Sequence, residues 1–196
     1  MSSWPCCWPA GTCWSRTTRA LARRSWPLPR PFVVLATQNP SAGEDGTYRL
    51  PPAQLDRFLA RVSLGYPTAG QEMALLRGEP QPTAAAVCSP AELLAAQQAT
   101  AGVHAADALI GYLVGVLGAT RVHPLAEVGA SPRAGLALLA AARAHAVLQG
   151  RRFVVPDDVK LLAQPVLAHR IQPVATAAAD ASARVVADAV AQVSAR

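Results

Sequence analysis

The chain has 196 residues, which is enough for one domain of ordinary size or two small ones with a buried core. Apolar residues make up 52% of it and aromatic residues only 5%, a balance that favours helices packed through small side chains over a β-sandwich. The formal net charge is +6, but most of the excess lies in residues 1–30, which hold five arginines and no acid. The remainder is nearly neutral, with acids interspersed among the basic residues, and this argues against a nucleic-acid-binding face.

Targeting and metal-binding signals are not evident in the sequence. No apolar run approaches the roughly 18 residues that a membrane-spanning helix needs. The N-terminus lacks the basic-then-apolar order of a secretory signal, so we expect a cytoplasmic protein with no membrane partner. Cys6, Cys7 and Cys13 form no CxxC pair and have no histidine nearby, so we expect no metal site.

Residues 1–30 differ in composition from everything that follows. They contain all four tryptophans and three of the four cysteines, and they show no helical or strand periodicity. We expect this leader to be disordered. A translation start in the wrong frame of a GC-rich gene would also produce such a segment, and a basic anchoring tail is the functional alternative.

The next segment, residues 31–67, predicts two strands around a short helix. Phe32 to Thr37 is a continuous apolar and β-branched run, typical of a strand buried on both faces of a parallel sheet. Glycines and prolines then indicate a loop, and the sequence PAQLDRFL indicates a short helix begun by proline. The sequence ARVSLGYP alternates and indicates a second strand.

From Thr68 to residue 196 the pattern is helical, and we expect about five or six helices. Thr68 is a predicted N-cap, and Ser89, Pro90 and Glu92 have the spacing of a capping box. A later helix is expected to be interrupted at Pro165. The sequence HAADALIGYLVGVLGAT predicts a helix that buries one face, made of Leu109, Tyr112, Leu113, Val116 and Leu117.

Three motifs occur in a fixed order along the chain: VLATQNP, EDGTYRLPPAQLDRFLARVSLGYP and GASPRAGLALLAAARAHAVLQGRRFVVPDDVKLLAQPVLAHRI. Together they resemble the second half of a MoxR-family AAA+ ATPase, from about Pro31 to Ile171. The resemblance implies a fragment of an AAA+ α/β nucleotide-binding subdomain in residues 31–67 and an α-helical lid domain in residues 68–196. The expected fold class is therefore α+β by content and mostly α.

The resemblance gives Asn39 a role. It follows the strand predicted at Phe32–Thr37 and matches the family's sensor-1 position, where an amide can contact the γ-phosphate of ATP and orient the attacking water. Because Asn39 precedes Pro40, an ordinary turn is the alternative.

Arg57, in the sequence LDRF, matches the arginine with which one subunit reaches the nucleotide of its neighbour. There a guanidinium stabilises the charge that develops on the transferred phosphoryl group. The alternative is a surface arginine paired with Asp56 or Glu44.

Arg133 matches the family's sensor 2, and its local sequence supports an anion-binding role. Ser131 is a predicted N-cap and Pro132 a predicted first helical residue, which places Arg133 in the first turn of a helix. A cation is locally unfavourable there, whereas the free N–H groups and the helix dipole favour an anion, so a phosphate partner would explain the arginine. An arginine that extends into water is the alternative.

Two further features carry weaker expectations. Tyr66 and Pro67 match the junction between the ATPase core and the lid and form a candidate hinge, although ordinary packing explains them equally well. The histidines show no pairing at i, i+4 on one helix and are expected to be structural or exposed to solvent.

Two motifs of the family do not occur in this sequence: the phosphate-binding loop GxxxxGK[ST] and a strand that ends in acids to hold Mg²⁺. The single lysine, Lys160, does not follow a glycine, and no acid precedes Glu44. The resemblance implies ATP and Mg²⁺ as cofactors, but the Mg²⁺ site is not encoded in this chain. We therefore expect a truncated or frameshifted remnant that has no ATPase activity alone.

By resemblance, such proteins hydrolyse ATP in hexameric rings with other AAA+ subunits. They act as chaperones in enzyme assembly or cofactor insertion, often beside a partner with a von Willebrand A-type domain. Two alternatives remain open for this chain: a non-catalytic helical module that docks on intact AAA+ subunits, and a helical nucleic-acid-binding domain. The sequence does not identify the client protein.

Overall fold

The computed structural model describes residues 12–17, 31–38, 50–80 and 83–194. Within these ranges the strands are β1 (Thr12–Thr17), β2 (Val33–Gln38), β3 (Ala60–Ser63), β4 (Ala126–Val128) and β5 (Gln172–Pro173). The helices are α1 (Pro52–Leu55), α2 (Ala69–Leu76), α3 (Pro90–Ala101), α4 (Asp107–Arg121), α5 (Pro132–Leu148), α6 (Pro156–Leu167) and α7 (Ala181–Gln192), and the 3₁₀ turn Ala168–Arg170 follows α6. The protein is thus α+β and mostly α, as predicted.

The first three strands form one sheet in the order β2-β1-β3. β1 is antiparallel to both neighbours, and Thr12 pairs with Gln38 on one side and with Ser63 on the other. Since β1 opposes both strands, β2 and β3 run in the same direction. Their carboxyl ends therefore lie at the same edge of the sheet.

The position of β1 differs from the sequence-based prediction. No strand was expected within residues 1–30, yet Thr12–Thr17 form the central strand of this sheet. The prediction of a disordered leader is wrong for these residues, and the leader's other residues, 1–11 and 18–30, lie outside the described ranges. A strand whose own sequence does not alternate is specified by the two neighbours that it hydrogen-bonds, which a single-segment pattern cannot reveal.

β2 is a strand, as predicted from Phe32–Thr37, but it is not buried on both faces. Exposure alternates along it, and Leu35 keeps 68% of its surface accessible. The prediction assumed a parallel sheet covered by crossover helices on both faces. Here β2 pairs antiparallel with β1, and its residues alternate in exposure as in a sheet covered on one face.

The predicted helix starts in the C-terminal part are confirmed. Thr68 caps α2, and Ser89 caps α3 in a capping box in which the Ser89 N–H donates to Glu92 at 2.7 Å and the Ser89 hydroxyl accepts from the Glu92 N–H at 3.2 Å. Gly78 follows α2 with a positive φ of 70°, the left-handed conformation that favours glycine at a helix end. The ends of these helices are determined by contacts between residues within one helical turn, and the sequence therefore predicts them.

The core lies in the helical part, between α4, α5, α6 and α7. The predicted buried face of α4 is confirmed for all five residues. The largest fully buried apolar side chains are Leu138, Leu167, Val116, Val159, Val166, Val185 and Val186. Many of their neighbours are alanines, so helix backbones approach closely, as the composition indicated.

Pro165 does not interrupt α6, contrary to the prediction. The helix continues through it to Leu167. A proline inside a helix costs about 3 kcal/mol because it removes an N–H donor and crowds the preceding turn. Val166 and Leu167, which follow it, are almost fully buried in the core, and their burial offsets this cost.

A buried charge cluster joins the end of α5 to the start of α6. Asp158 accepts two hydrogen bonds from Arg151, at 2.6 and 2.8 Å, one from the Val155 N–H at 2.9 Å, and lies 2.6 Å from Nδ1 of His145. The hydrogen bond from Arg151 is the largest of the contacts that hold the pKa of Asp158 well below its usual range. Asp158 therefore remains ionised and links the end of α5 to the start of α6.

None of the helices in the described part of the chain is long and apolar enough to cross a membrane.

Candidate functional site

Asn39, the predicted sensor-1 residue, lies outside the described residues. The strand that leads to it, β2, ends at Gln38. Its role therefore stays a prediction.

Arg57 lies in the turn that joins α1 to β3. Pro52 begins α1, and the helix stops after four residues, so the chain turns at Asp56 and Arg57 before entering the sheet. Arg57 is exposed, and no ion pair joins it to another residue in the described ranges. The alternative of a pair with Asp56 is not observed, and Glu44 lies outside those ranges.

The residues on either side of Arg57 are held by the C-terminal helical part. The Asp56 carboxylate lies 3.4 Å from Nη1 of Arg133 and 3.9 Å from Nη1 of Arg170. On the other side, the Phe58 carbonyl accepts a hydrogen bond of 2.6 Å from Nη2 of Arg170, and the Phe58 side chain is buried. Arg57 is thus an exposed residue between two anchored ones.

Arg133 has the local geometry that the sequence predicted. The Ser131 hydroxyl accepts from the Ala134 N–H at 3.3 Å, Pro132 is the first helical residue, and Arg133 follows in the first turn of α5. Its side chain is 66% exposed, and its guanidinium contacts the Asp56 carboxylate. It therefore does not simply extend into water. The structure therefore brings Arg133 next to the segment that carries Arg57.

The sequence assigns a phosphate-contacting role to both Arg133 and Asn39, which requires the two side chains to lie near one site. Arg133 contacts the segment that leads into the amino end of β3, whereas Asn39 follows the carboxyl end of β2. Because β2 and β3 run in the same direction, these two points belong to opposite ends of the strands. A shared site for Arg133 and Asn39 stays a prediction.

Arg170 and His169 were not identified as site residues from the sequence. Both lie in the 3₁₀ turn after α6, and Nε2 of His169 is 3.2 Å from the Phe58 carbonyl oxygen and 3.3 Å from Nε of Arg170. Burial, reinforced by the charge of Arg170, lowers the pKa of His169 to about 4, so the imidazole is neutral at neutral pH. The sequence predicted only that the histidines are structural or exposed. It did not predict that His169 contacts Phe58, which lies 111 positions away in the sequence.

The electrostatics of this cluster favour an anion. Arg133 and Arg170 both approach Asp56, and the exposed Arg57 is the next residue in the sequence. Burial lowers the pKa of Arg170, while the nearby Asp56 opposes this effect. Guanidinium groups bind phosphate and carboxylate through paired hydrogen bonds, so the exposed members of the cluster suit such a ligand.

Metal ligands do not gather in the same way. No group of three or more His, Cys, Asp or Glu side chains in the described ranges is arranged to hold a metal ion.

The candidate hinge residue Tyr66 lies between β3 and α2 and is 80% exposed. Its role stays a prediction.

A separate groove runs between α4 and α5, with a volume of about 320 Å³. Its lining is almost entirely apolar and consists of Ile110, Leu113, Val114, Leu117, Arg121, Pro132, Gly135, Leu136 and Leu139.

Two family models match separate parts of the chain. Residues 118–193 match the AAA lid domain, and residues 15–60 match the ATPase family associated with various cellular activities (AAA). The second match begins inside the leader of residues 1–30 and includes part of β1.

Individual relatives point to one branch of this family. The chain is 40% identical to Chaperone MoxR1 of Mycobacterium tuberculosis over 163 residues, which cover 78% of this chain and 43% of that protein. It is 32% identical to Protein MoxR of Paracoccus denitrificans over 172 residues, which cover 76% of this chain and 50% of that protein. The chain spans about half the length of the curated relatives it matches.

A solved structure shares the fold. The crystal structure of a provisionally assigned ATPase from Cytophaga hutchinsonii matches with a TM-score of 0.76 and 30% identity, covering 86% of this chain and 56% of that one. The family matches, the named relatives and the shared fold together place this chain in the MoxR family of AAA+ ATPases.

Proposed function

We propose that this chain supplies an arginine, Arg57, and a lid domain to a ring of MoxR-type AAA+ subunits that bind and hydrolyse ATP with Mg²⁺. The observation that carries this proposal is the state of Arg57: its side chain is exposed, while Asp56 and Phe58 beside it are anchored. A guanidinium on a fixed backbone with no ion-pair partner among the described residues suits a phosphate on another molecule. Arg57 would stabilise the charge that develops on the nucleotide of the neighbouring subunit.

Arg133 is proposed as the sensor-2 residue. Its place in the first turn of α5 supports this role, because the free N–H groups and the helix dipole attract the same anion as the guanidinium. Asn39 is proposed as sensor 1 by its match to the family motif. The wider role, chaperone-like assembly or cofactor insertion in the cytoplasm beside a von Willebrand A-type partner, rests on the resemblance alone.

The residues of this chain do not fit an ATP–Mg²⁺ site of their own. The sequence contains no GxxxxGK[ST] loop, and its one lysine, Lys160, pairs with Asp157 on the surface of α6. Phosphoryl transfer depends on a backbone cradle, a lysine and a metal held by carboxylates, which sensors and an arginine from a neighbour only supplement. The 196-residue chain is therefore proposed to be inactive alone.

A complementation assay tests the proposal. An intact MoxR-type subunit is first inactivated by removing its own trans-acting arginine, and the purified chain is then titrated into it while Mg²⁺-dependent ATP hydrolysis is measured. A correctly placed arginine is worth roughly 10³–10⁵ in rate where it has been measured, so a clear rise in turnover is expected. The Arg57→Ala chain should produce no rise.

Arg77→Ala is the matched control. Arg77 is also exposed and follows a short helix, but it pairs with Glu79 at the surface. Its removal should leave the stimulation unchanged. Stimulation that survives Arg57→Ala, or ATP turnover by the purified chain alone with contaminating ATPases excluded, would overturn the proposal.

A non-catalytic docking module is the second candidate, and the exposed apolar residues of the sheet favour it. Val33, Leu35, Val62 and Leu64 are large apolar residues of β2, β3 and the residue after β3, and all are exposed. Such a surface is typical of a face that another protein covers. In the same titration, this candidate predicts binding of the chain to the intact subunit with no change in ATP turnover.

A further inference from the structure

A buried arginine of the lid, Arg170, contacts the turn that carries Arg57. Arg170 donates to the Phe58 carbonyl at 2.6 Å from Nη2 and approaches the Asp56 carboxylate to 3.9 Å through Nη1. It therefore contacts the residues on both sides of Arg57. Phe58 and Arg170 are 112 positions apart in the sequence, so this contact fixes the relative position of two distant segments.

Arg170 is an unusual residue for this location. Its side chain is only 3% exposed, although arginine is almost never fully buried unless it is paired. Its Nη1 atom makes no hydrogen bond, and the distance to Asp56 is too long for one. An apolar residue of similar volume would pack here without the cost of desolvating a charge.

A buried charge kept at such a cost gives a defined geometry. The planar guanidinium donates in fixed directions, whereas an apolar contact permits sliding. Asp56 is also approached by Arg133 on α5, so two elements of the lid hold the same turn. Between these contacts the Arg57 backbone has little freedom, while its side chain remains exposed.

We propose that Arg170 is a positioning residue for Arg57, which fixes the turn 56–58 to the lid so that the direction of the Arg57 side chain follows the lid. This inference rests on the proposed function, because it concerns how Arg57 is presented to a neighbouring subunit. It adds a regulatory consequence. A lid that moves when its own subunit changes state carries Arg57 with it, and the neighbour's ATP hydrolysis changes as a result.

The test combines a structural and a kinetic measurement on Arg170→Met, which keeps the volume and removes the donors. Hydrogen exchange of the full chain, followed by mass spectrometry, should rise by about tenfold or more in the peptide spanning 55–60, because the turn loses its anchor. In the complementation assay, the maximal stimulation should fall by about tenfold or more, because small misplacements of such groups are costly. The chain concentration that gives half of the maximal stimulation should stay unchanged, since docking is not affected.

Two control variants separate positioning from general destabilisation. Arg151→Met removes a partly exposed arginine of the lid that contacts Asp158 and not the turn 56–58. It should raise exchange at the start of α6 and leave the peptide 55–60 as in the wild type. Arg170→Lys keeps one donor near the Phe58 carbonyl and should restore part of the protection and part of the stimulation, and it carries the same test if Arg170→Met does not fold.

The outcomes distinguish this inference from the function on which it rests. Unchanged exchange at 55–60 in Arg170→Met, or a rise shared equally by all lid peptides, overturns the positioning role. Selective loss of protection with a reduced maximal stimulation supports it. Selective loss of protection in a chain whose wild type never stimulates the partner supports the anchoring by Arg170 and overturns the proposed function.

Discussion

The hydroxyl of Thr120 accepts a hydrogen bond from the backbone N–H of Ala130 at 3.0 Å and donates one to the Leu117 carbonyl at 2.7 Å. Thr120 is fully buried at the end of α4, and Ala130 directly precedes Ser131, the N-cap of α5. One hydroxyl thus joins the end of one helix to the start of the next. The helix start that it fixes is the one that carries Arg133.

Replacing Thr120 with valine tests this connection. The change keeps the shape but leaves the buried Ala130 N–H without an acceptor, and an unsatisfied buried donor costs about 1–3 kcal/mol. We expect the free energy of unfolding, measured with urea, to fall by that amount. Thr100→Val is the matched control, because Thr100 also donates to a carbonyl three residues earlier, at 2.7 Å, but lies on the less buried α3. Equal effects of the two changes would contradict the role assigned to Thr120.

Gly129 permits the close approach of this same loop to α4. A Cβ atom at position 129 would lie 2.5 Å from the Cα of Arg121, a distance that only a backbone shift could relieve. We expect Gly129→Ala to lower the unfolding free energy by about 1–3 kcal/mol, the usual cost of overpacking. In Gly118→Ala, the added Cβ meets nothing within 4 Å, and a helical glycine replaced by alanine gains about 0.5–1 kcal/mol. Urea unfolding of both variants should therefore show opposite signs.

The parts of the fold that the sequence predicted are those set by short-range signals. The capping residues Thr68, Ser89 and Ser131 act on N–H groups within one turn, and the buried face of α4 follows from its own periodicity. The local geometry of Arg133 was predictable for the same reason. Each of these features needs only a few neighbouring residues.

The parts that the sequence did not predict depend on partners far along the chain. β1 is defined by its two neighbouring strands, and Pro165 remains helical because the residues after it are buried in the core. Arg170 is a basic residue in a turn until the fold brings it to Phe58. No local pattern marks such a residue, and the motif HRI could only have drawn attention to it through the family resemblance.

The buried Asp158 carboxylate, which is paired with Arg151, predicts different effects on stability for substitutions of two adjacent acids. Asp158→Ala leaves Arg151, which is 25% exposed, and the Val155 N–H without their partner, and the loss of such hydrogen bonds to a charged group costs about 1–3 kcal/mol. Asp157 pairs with Lys160 on the surface, where such pairs contribute about 0–1 kcal/mol, so Asp157→Ala should have little effect. Thermal or urea unfolding of the two variants measures the contrast. Similar stabilities would show that the cluster between α5 and α6 is dispensable.

His169 predicts how the stability of the helical part depends on pH. Its pKa is lowered from 6.5 to about 4, first by burial and then by the charge of Arg170. As the pH falls below 6.5, the unfolded chain takes up a proton on this imidazole while the folded chain does not, so folding becomes less favourable. The contribution of His169 to the free energy of unfolding is fully present above pH 6.5 and is lost progressively down to about pH 4. The total loss is on the order of 3 kcal/mol.

His169→Gln isolates this contribution, since glutamine keeps a polar group near the Phe58 carbonyl but does not titrate. Urea unfolding of both proteins across the interval from about pH 4 to 6.5 should give a steeper fall for the wild type than for the variant. Asp158 does not affect the comparison, because the stability that its lowered pKa contributes is lost mainly below its ordinary value of 3.8 and is the same in both proteins. Parallel curves for the two proteins would mean that the His169 imidazole has the same pKa in the folded and unfolded chain. The assignment of a neutral, buried imidazole would then be wrong.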